Sequence, residues 1–166
     1  FYKRFSRWGE MPIAVSEDLL QYLCDGYDIA PERVNVIPNG VDSKHFCPSA
    51  CAWRKKNILF LSRLDSDCSI GARLLCHIAP RIAKIDPEVR IIIGGAGSEL
   101  RDLQFLAEQA NEEIGYECVS CVGAVRDTAA FFRSGDIFVG VSRAAIEAGM
   151  CGLSVVLCGD EGYLGR

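Results

Sequence analysis

Twelve residues near the carboxyl end, Ser142-Arg143-Ala144-Ala145-Ile146-Glu147-Ala148-Gly149-Met150-Cys151-Gly152-Leu153, hold the residue types best suited to chemistry. They read as a glycine-terminated loop, a short helix carrying one carboxylate, Glu147, and a glycine leading into the apolar run Leu153-Ser154-Val155-Val156-Leu157. A carboxylate beside helix-terminal amides suits a sugar diol next to a phosphate. The acid accepts two hydroxyl hydrogen bonds while the unsatisfied N–H groups take the anion. Further along the same line of chemistry stand Arg63, a cation just past an apolar run, and Asp65 with Asp67, whose spacing could hold a divalent metal against a diphosphate. Acids lying between a strand and a helix also favour the helix amino terminus, and that is the simpler reading of the pair.

Other chemistries find less support. Gly95-Ala96-Gly97 begins the dinucleotide fingerprint, but the closing glycine position is Leu100 and the segment follows the second strand of the main domain, not the first. Glycines that permit a tight strand-to-helix turn account for it. Neither a P-loop nor a G-x-S-x-G elbow occurs. His45 and His77 are the only histidines, with no nucleophile arranged beside them, and His77 reads as structural. The nine cysteines are odd in number and irregularly spaced, and no secretion signal is visible, so free thiols in a cytoplasmic setting fit better than a disulfide framework. Cys47 and Cys51 with Cys118 and Cys121 could supply four thiolates to zinc, but residues three apart on a strand point to opposite faces.

The elements that must position these groups alternate. Short extended runs at Pro12 to Val15 and Val34 to Ile37 flank a helix from Glu17 to Leu23 capped by Ser16, and Pro38-Asn39-Gly40 stops the second run. An irregular polar stretch over residues 50–56 marks a linker. Strands are then expected at Ile58 to Ser62, Val89 to Ile93, Cys118 to Val122, Ile137 to Val141 and Leu153 to Leu157. Between them fall helices at Ile70 to Ile85, with Leu74, Leu75, Ile78, Ala79 and Ile82 on the apolar face, at Ser98 to Ile114, at Thr128 to Arg133, and around Glu147. Continuous apolar strands separated by helices imply an α/β fold, a Rossmann-like parallel sheet with helices on both faces. Ligands in such folds sit at the carboxyl ends of strands, which directs attention to Arg63 and to the segments 94–97, 123–126, 140–143 and 159–162. With 166 residues and a net charge of −4 the chain suits one compact core and offers no basic face for nucleic acid. No apolar run approaches the roughly 18 residues of a membrane span, and the opening residues form neither a signal peptide nor a start. We therefore expect a piece of something longer.

Val36-Ile37-Pro38-Asn39-Gly40-Val41-Asp42, with Phe46 and Pro48 behind it, resembles the interdomain signature of the retaining, nucleotide-sugar-dependent glycosyltransferases of group 1, or family 4. Ile58 to Asp65 is similar to that family's first strand and donor-phosphate arginine, and Ile91 to Gly97 to its second strand and glycine turn. Val122 to Val125 is similar to its base-contacting loop, and Arg143 to Val156 to its donor-site helix and following strand. The resemblance implies a GT-B architecture of two Rossmann-like domains. Residues 1–49 would be the tail of the amino-terminal acceptor domain with the interdomain connection, and 50–166 the donor-binding carboxyl-terminal domain, incomplete at both ends. It implies a hexosyltransferase of polysaccharide biosynthesis that moves sugar from a nucleoside diphosphate to a glycan or lipid acceptor held by the missing domain, with no metal and no cofactor. The full-length enzyme would be cytoplasmic and compatible with peripheral membrane association.

Carried onto this chain, the resemblance makes Arg63 and Glu147 the catalytic pair. Arg63 neutralises the diphosphate as charge develops on the leaving group, and Glu147 accepts the ribose hydroxyls. Gly123, Val125, Gly140, Ser142 and Arg143 would bind the donor. Two positions depart from the family: the lysine expected five residues after Arg63 is Cys68, and the first glutamate, eight before Glu147, is Val139. Amides and Arg143 would then take over part of the phosphate binding. Donor binding is expected, and turnover by this chain alone is not. A non-catalytic nucleotide-sugar-binding module, and another Rossmann-like enzyme such as an epimerase or dehydrogenase, stay open as alternatives.

Overall fold

The computed structural model describes residues 9–48, 55–159 and 162–165. The chain divides into two compact units, Phe1–Gly40 and Val41–Arg166. In the first, β1 (Ile13–Ala14) pairs in parallel with β2 (Asn35–Val36), and α1 (Glu17–Tyr27) connects them through a single 3-10 turn at Pro31–Arg33. Ser16 caps α1 as expected, its hydroxyl accepting the Leu19 N–H at 3.2 Å ahead of Glu17 and Asp18. The helix runs a turn beyond Leu23, because Tyr27 still packs on the small core of Ala14, Leu23 and Val34. It stops at Asp28, left-handed at φ 56.

The second unit alternates strictly: β3 (Asn57–Leu61), α2 (Ile70–Ile85), β4 (Arg90–Gly94), α3 (Leu100–Ile114), β5 (Val119–Gly123), α4 (Thr128–Phe132), β6 (Ile137–Gly140), α5 (Ser142–Met150), β7 (Ser154–Gly159) and β8 (Gly162–Gly165). The sheet order is β5-β4-β3-β6-β7-β8, with β8 antiparallel to β7 and every other pair parallel. The expected parallel sheet is therefore the one that forms. The segment 159–162 follows β7 as expected, and Gly159 pairs with Gly162, the first residue of the antiparallel β8. The linker expected over residues 50–56 lies outside the described residues except at its end, where the Lys55 and Lys56 amides both donate to Asp136 Oδ2, at 2.7 and 2.6 Å.

Strand periodicity sorts the apolar side chains into two cores, one on each face. Phe60, Ile91, Ile93 and Val119 face α2 and α3, whereas Leu59 and Phe138 meet Phe132, Ala145 and Ala148 from α4 and α5. The buried face of α2 is smaller than expected. Leu75 and Ala79 are buried, but Leu74 and Ile78 are 45% and 40% exposed. Gly71, Ala72, Cys76 and Ala83 are buried instead, and these small residues let the helix approach the sheet closely: a Cβ at Gly71 would lie 2.8 Å from the Phe60 ring.

Candidate functional site at the carboxyl ends of the strands

The five parallel strands finish on one line. Leu61 pairs with Gly94, Gly94 with Gly123, and Gly140 with Leu157. Leu59 pairs with Phe138, so two residues further along Leu61 and Gly140 come level as well. From β3 the chain steps outward through β4 to β5, then returns to lay β6 on the opposite side of β3 and continues to β7. The direction of winding reverses between β3 and β6. In open parallel sheets a crevice opens at such a reversal, since the loops on either side lead away from one another. The loop after β3 carries Arg63, and the turn after β6 carries Ser142, Arg143 and, one helical turn on, Glu147. The topology thus brings the expected cation and the expected acid to adjacent strand ends, about 4.8 Å apart in strand spacing.

The turn from β6 to α5 is tight, with Val141 alone between them. It is completed by Ser142 in the left-handed region at φ 63, a conformation that costs a non-glycine residue about 1 kcal/mol. Glu147 then faces inward and is only 9% exposed. Its Oε1 accepts from Arg143 Nε at 3.1 Å, while the arginine side chain stays 64% exposed. Val139 lies within β6 and packs on the core beneath α2 and α3, so that position belongs to the sheet and not to the crevice.

Arg63 is exposed, with Nη1 3.9 Å from Asp65 Oδ2 and Nη2 3.6 Å from Asp67 Oδ2; Nη2 also lies 3.5 Å from Cys68 Sγ. Both aspartates lie between β3 and α2 as expected, ahead of the first turn of α2 and facing Arg63. The residue at the α2 amino cap is Ser69, whose buried hydroxyl has no hydrogen-bond partner among the described residues. Asp65 has a second task that sequence reasoning missed: its Oδ1 accepts from both the N–H and the hydroxyl of Ser98, at 3.1 and 3.2 Å. With Leu64 N–H on Ala96 O, Glu99 N–H on Leu64 O and Gly95 N–H on Gly123 O, the loops after β3, β4 and β5 form one hydrogen-bonded row. The only signal for this is a serine directly behind the Gly-Ala-Gly turn.

That row explains the glycines without a dinucleotide. A Cβ at Gly95, already at φ 137, would stand 2.0 Å from the Ser62 carbonyl oxygen, and one at Gly97 would stand 2.4 Å from the Leu64 carbonyl. Gly123, at φ 72, faces open space. Val125 does not: its Cγ2 lies 2.8 Å from where a Cβ on Gly94 would be, so the side chain covers the end of β4 and the loop offers backbone to the crevice.

Among the described residues no group of three or more His, Cys, Asp or Glu is placed to hold a metal. Cys51 lies outside them. Burial pushes the Cys76 thiol up to about 12 and also raises Cys118, Cys121, Cys151 and Cys158, which is the behaviour of packing residues. His77 lies at the exposed surface of α2, in a groove of about 230 Å³ shared with Leu106 and Glu113 that holds none of the candidate residues. No helix of the described residues is long and apolar enough to cross a membrane.

Comparison with known proteins agrees with this architecture. The family model described as Glycosyl transferases group 1 matches residues 55–162, and that described as Glycosyltransferase Family 4 matches residues 1–45. A phosphatidylinositol N-acetylglucosaminyltransferase subunit of Arabidopsis thaliana is 30% identical over 136 residues, covering 77% of this chain and 30% of that protein. The human protein of the same name is 33% identical over 138 residues, covering 76% and 27%. The chain thus spans about 30% of the length of these relatives. Among solved structures, S. aureus TarM superposes with a TM-score of 0.68 at 20% identity, over 89% of this chain and 29% of that one. Anabaena HepE in complex with UDP and glucose superposes at 0.67 and 20% identity, over 94% and 45%. The fold is that of the GT-B glycosyltransferases.

Proposed function

The chain belongs to the group 1 glycosyltransferases, and from that premise we propose that its second unit is the donor-binding part of an enzyme that transfers a sugar from a nucleoside diphosphate. The observation that carries the proposal is the reversal of winding between β3 and β6, flanked on one side by Arg63 and on the other by the Arg143–Glu147 pair. On this reading Glu147 accepts the ribose hydroxyls, and the backbone at Gly123 faces the base. Arg63 and Arg143, with the amides opening α5, hold the diphosphate. Transfer breaks the bond from the anomeric carbon to the diphosphate oxygen, which leaves with the electron pair. The acceptor hydroxyl passes its proton to that departing oxygen, and the acceptor oxygen bonds the same face of the sugar. Two guanidiniums aimed at the departing oxygens stabilise the charge that develops there, so the reading needs neither metal nor cofactor.

The relatives' names narrow the chemistry. They support N-acetylglucosamine as the sugar and an inositol phospholipid as the acceptor, and structural neighbours solved in complex with UDP support uridine as the nucleoside. We assign acceptor recognition to a longer protein, since this chain spans about 30% of the length of its relatives. Calorimetric titration of the intact protein with UDP, GDP, ADP and their sugars tests the reading. Saturable binding of one nucleoside diphosphate is expected, and no binding of any at millimolar concentration would end it. One observation favours a binding module that has lost catalysis: Cys68 stands where the family has a lysine, and both nearby aspartates already pair with Arg63. Nucleotide binding without any release of UDP in the presence of sugar donor and lipid acceptor would select that alternative.

A further inference from the structure

The group proposed to accept ribose already has a partner. Glu147 holds Arg143 at 3.1 Å across one turn of α5. Three features separate this pair from an ordinary surface pair on a helix. The acid is buried while the guanidinium faces solvent, so the carboxylate has little access to water and the arginine supplies its compensating charge. The cation comes first along the chain: Arg143 sits in the first turn of α5, at the positive end of the helix dipole, and arginine before glutamate is the weaker order for such a pair. The turn that delivers it is held at an unfavourable backbone conformation, Ser142 at φ 63. The helix dipole and the order of the pair both disfavour an arginine at this place, whereas an incoming anion favours it.

We propose that Arg143 makes the site select nucleoside diphosphates over nucleosides by exchanging partners. In the empty site its guanidinium covers the Glu147 carboxylate. A diphosphate draws the guanidinium off with two oxygens matched to its fork, and the freed carboxylate then takes the ribose diol. A nucleoside must separate the same ion pair and offers the arginine nothing in return. Arg63 does not play this part, because Asp65 and Asp67, which hold it, are on its own loop and have no role toward ribose. The inference rests on the donor-site reading and adds to it the reason for ligand choice.

The test compares uridine with UDP by calorimetry or ligand-observed NMR, using the intact wild-type protein, Arg143→Ala and Arg143→Gln; guanosine and GDP replace them if the titration above selects GDP. Removing the guanidinium should tighten uridine by roughly twofold, the strength of one half-exposed ion pair, and weaken UDP by about tenfold or more. Shifts in opposite directions are the signature. A residue that only binds phosphate would weaken UDP and leave uridine unmoved, and one that only orients Glu147 would weaken both; either result overturns the exchange. If wild type binds no nucleoside diphosphate, the donor-site reading falls and the exchange falls with it. If UDP binds and neither variant tightens uridine, the exchange alone falls. Arg143 is exposed, and unchanged melting temperatures in both variants will confirm that folding is not the cause.

Discussion

Replacing Glu147 by glutamine separates a ligand-binding acid from a structural one. In the empty protein the carboxylate's one ion-pair partner among the described residues is Arg143, an i,i+4 neighbour whose side chain is 64% exposed, and such half-solvated pairs are worth only about 0.3–0.5 kcal/mol. Removing the charge also relieves the cost of burying it in a residue that is 9% exposed. The two effects oppose each other, and glutamine keeps the shape. The net change in stability should stay within about 0.5 kcal/mol, or roughly 1–2 °C in melting temperature for a chain of this size. Ligand binding should respond very differently. Hydrogen bonds to a charged acceptor are worth about 1.5–3 kcal/mol each, and glutamine presents a donor where one of two ribose hydroxyls needs an acceptor. A loss of about 2–3 kcal/mol corresponds to a roughly thirty- to 150-fold weaker nucleoside diphosphate. Calorimetric titration with UDP and thermal unfolding of the same preparations measure both numbers. An affinity within twofold of wild type would remove Glu147 from the site. A fall in affinity matched by a fall in melting temperature of many degrees would make it a structural acid.

Two further outcomes follow from packing. Gly95→Ala must drive a Cβ to within 2.0 Å of a backbone oxygen that cannot move aside, whereas Gly115→Ala, at φ 89 with nothing within 4 Å, meets conformational cost alone. Urea unfolding should therefore show a loss of about 2–4 kcal/mol for the first and about 1 kcal/mol for the second, and equal losses would refute the stacked-loop account. The raised thiols set a pH limit. Cys76, held up to about 12 by burial, and Cys118, Cys121, Cys151 and Cys158, raised for the same reason, have folded values above their unfolded ones. Their contribution to stability is whole below the unfolded thiol range near 8.5 and is lost as pH rises toward the folded values, each by at most about 1.4 kcal/mol per pH unit. Urea midpoints should hold from about pH 7 to 8 and fall above 9, with a shallower fall in Cys76→Ala; an identical slope in that variant would show that Cys76 ionises freely in the fold.

Local structure is legible in the sequence because it has local causes. The apolar spacing from Ile70 to Ile85 matches α2 residue for residue, and each parallel strand falls within a residue or two of the apolar run that announces it. Where sequence reasoning fails, a contact distant in sequence decides. Gly71 and the small residues that let α2 close on Phe60 leave Leu74 and Ile78 outside, and periodicity alone cannot distinguish a wide apolar face from a narrow one lined by small residues. Asp65 reads as an acid at a helix start until its partner proves to be Ser98, a residue across the β3–β4 loops. Val139, eight residues before Glu147, reads from the sequence as a missing glutamate, and only the structure shows that it lies inside β6 and packs on the core.

For the same physical reason the site can be suspected from sequence but not assembled. Five strand-end segments are candidates, and residue type singles out Arg63 and Glu147 without showing that their segments meet. What brings them together is strand order. Had β6 been added beyond β5, winding would have continued in one direction, Arg63 would lie several strands from Glu147, and no reversal would open a crevice. Because Ile58 pairs with Ile137 and Leu59 with Phe138, the loop after β3 and the turn after β6 become neighbours although 84 residues separate Arg63 from Glu147. The pairing in turn depends on Asp136, which closes the first residues of both strands together through the Lys55 and Lys56 amides and its own N–H on Asn57 O. The acid that aligns the amino ends of β3 and β6 therefore fixes, a strand's length away, which cation and which carboxylate share the opposite end.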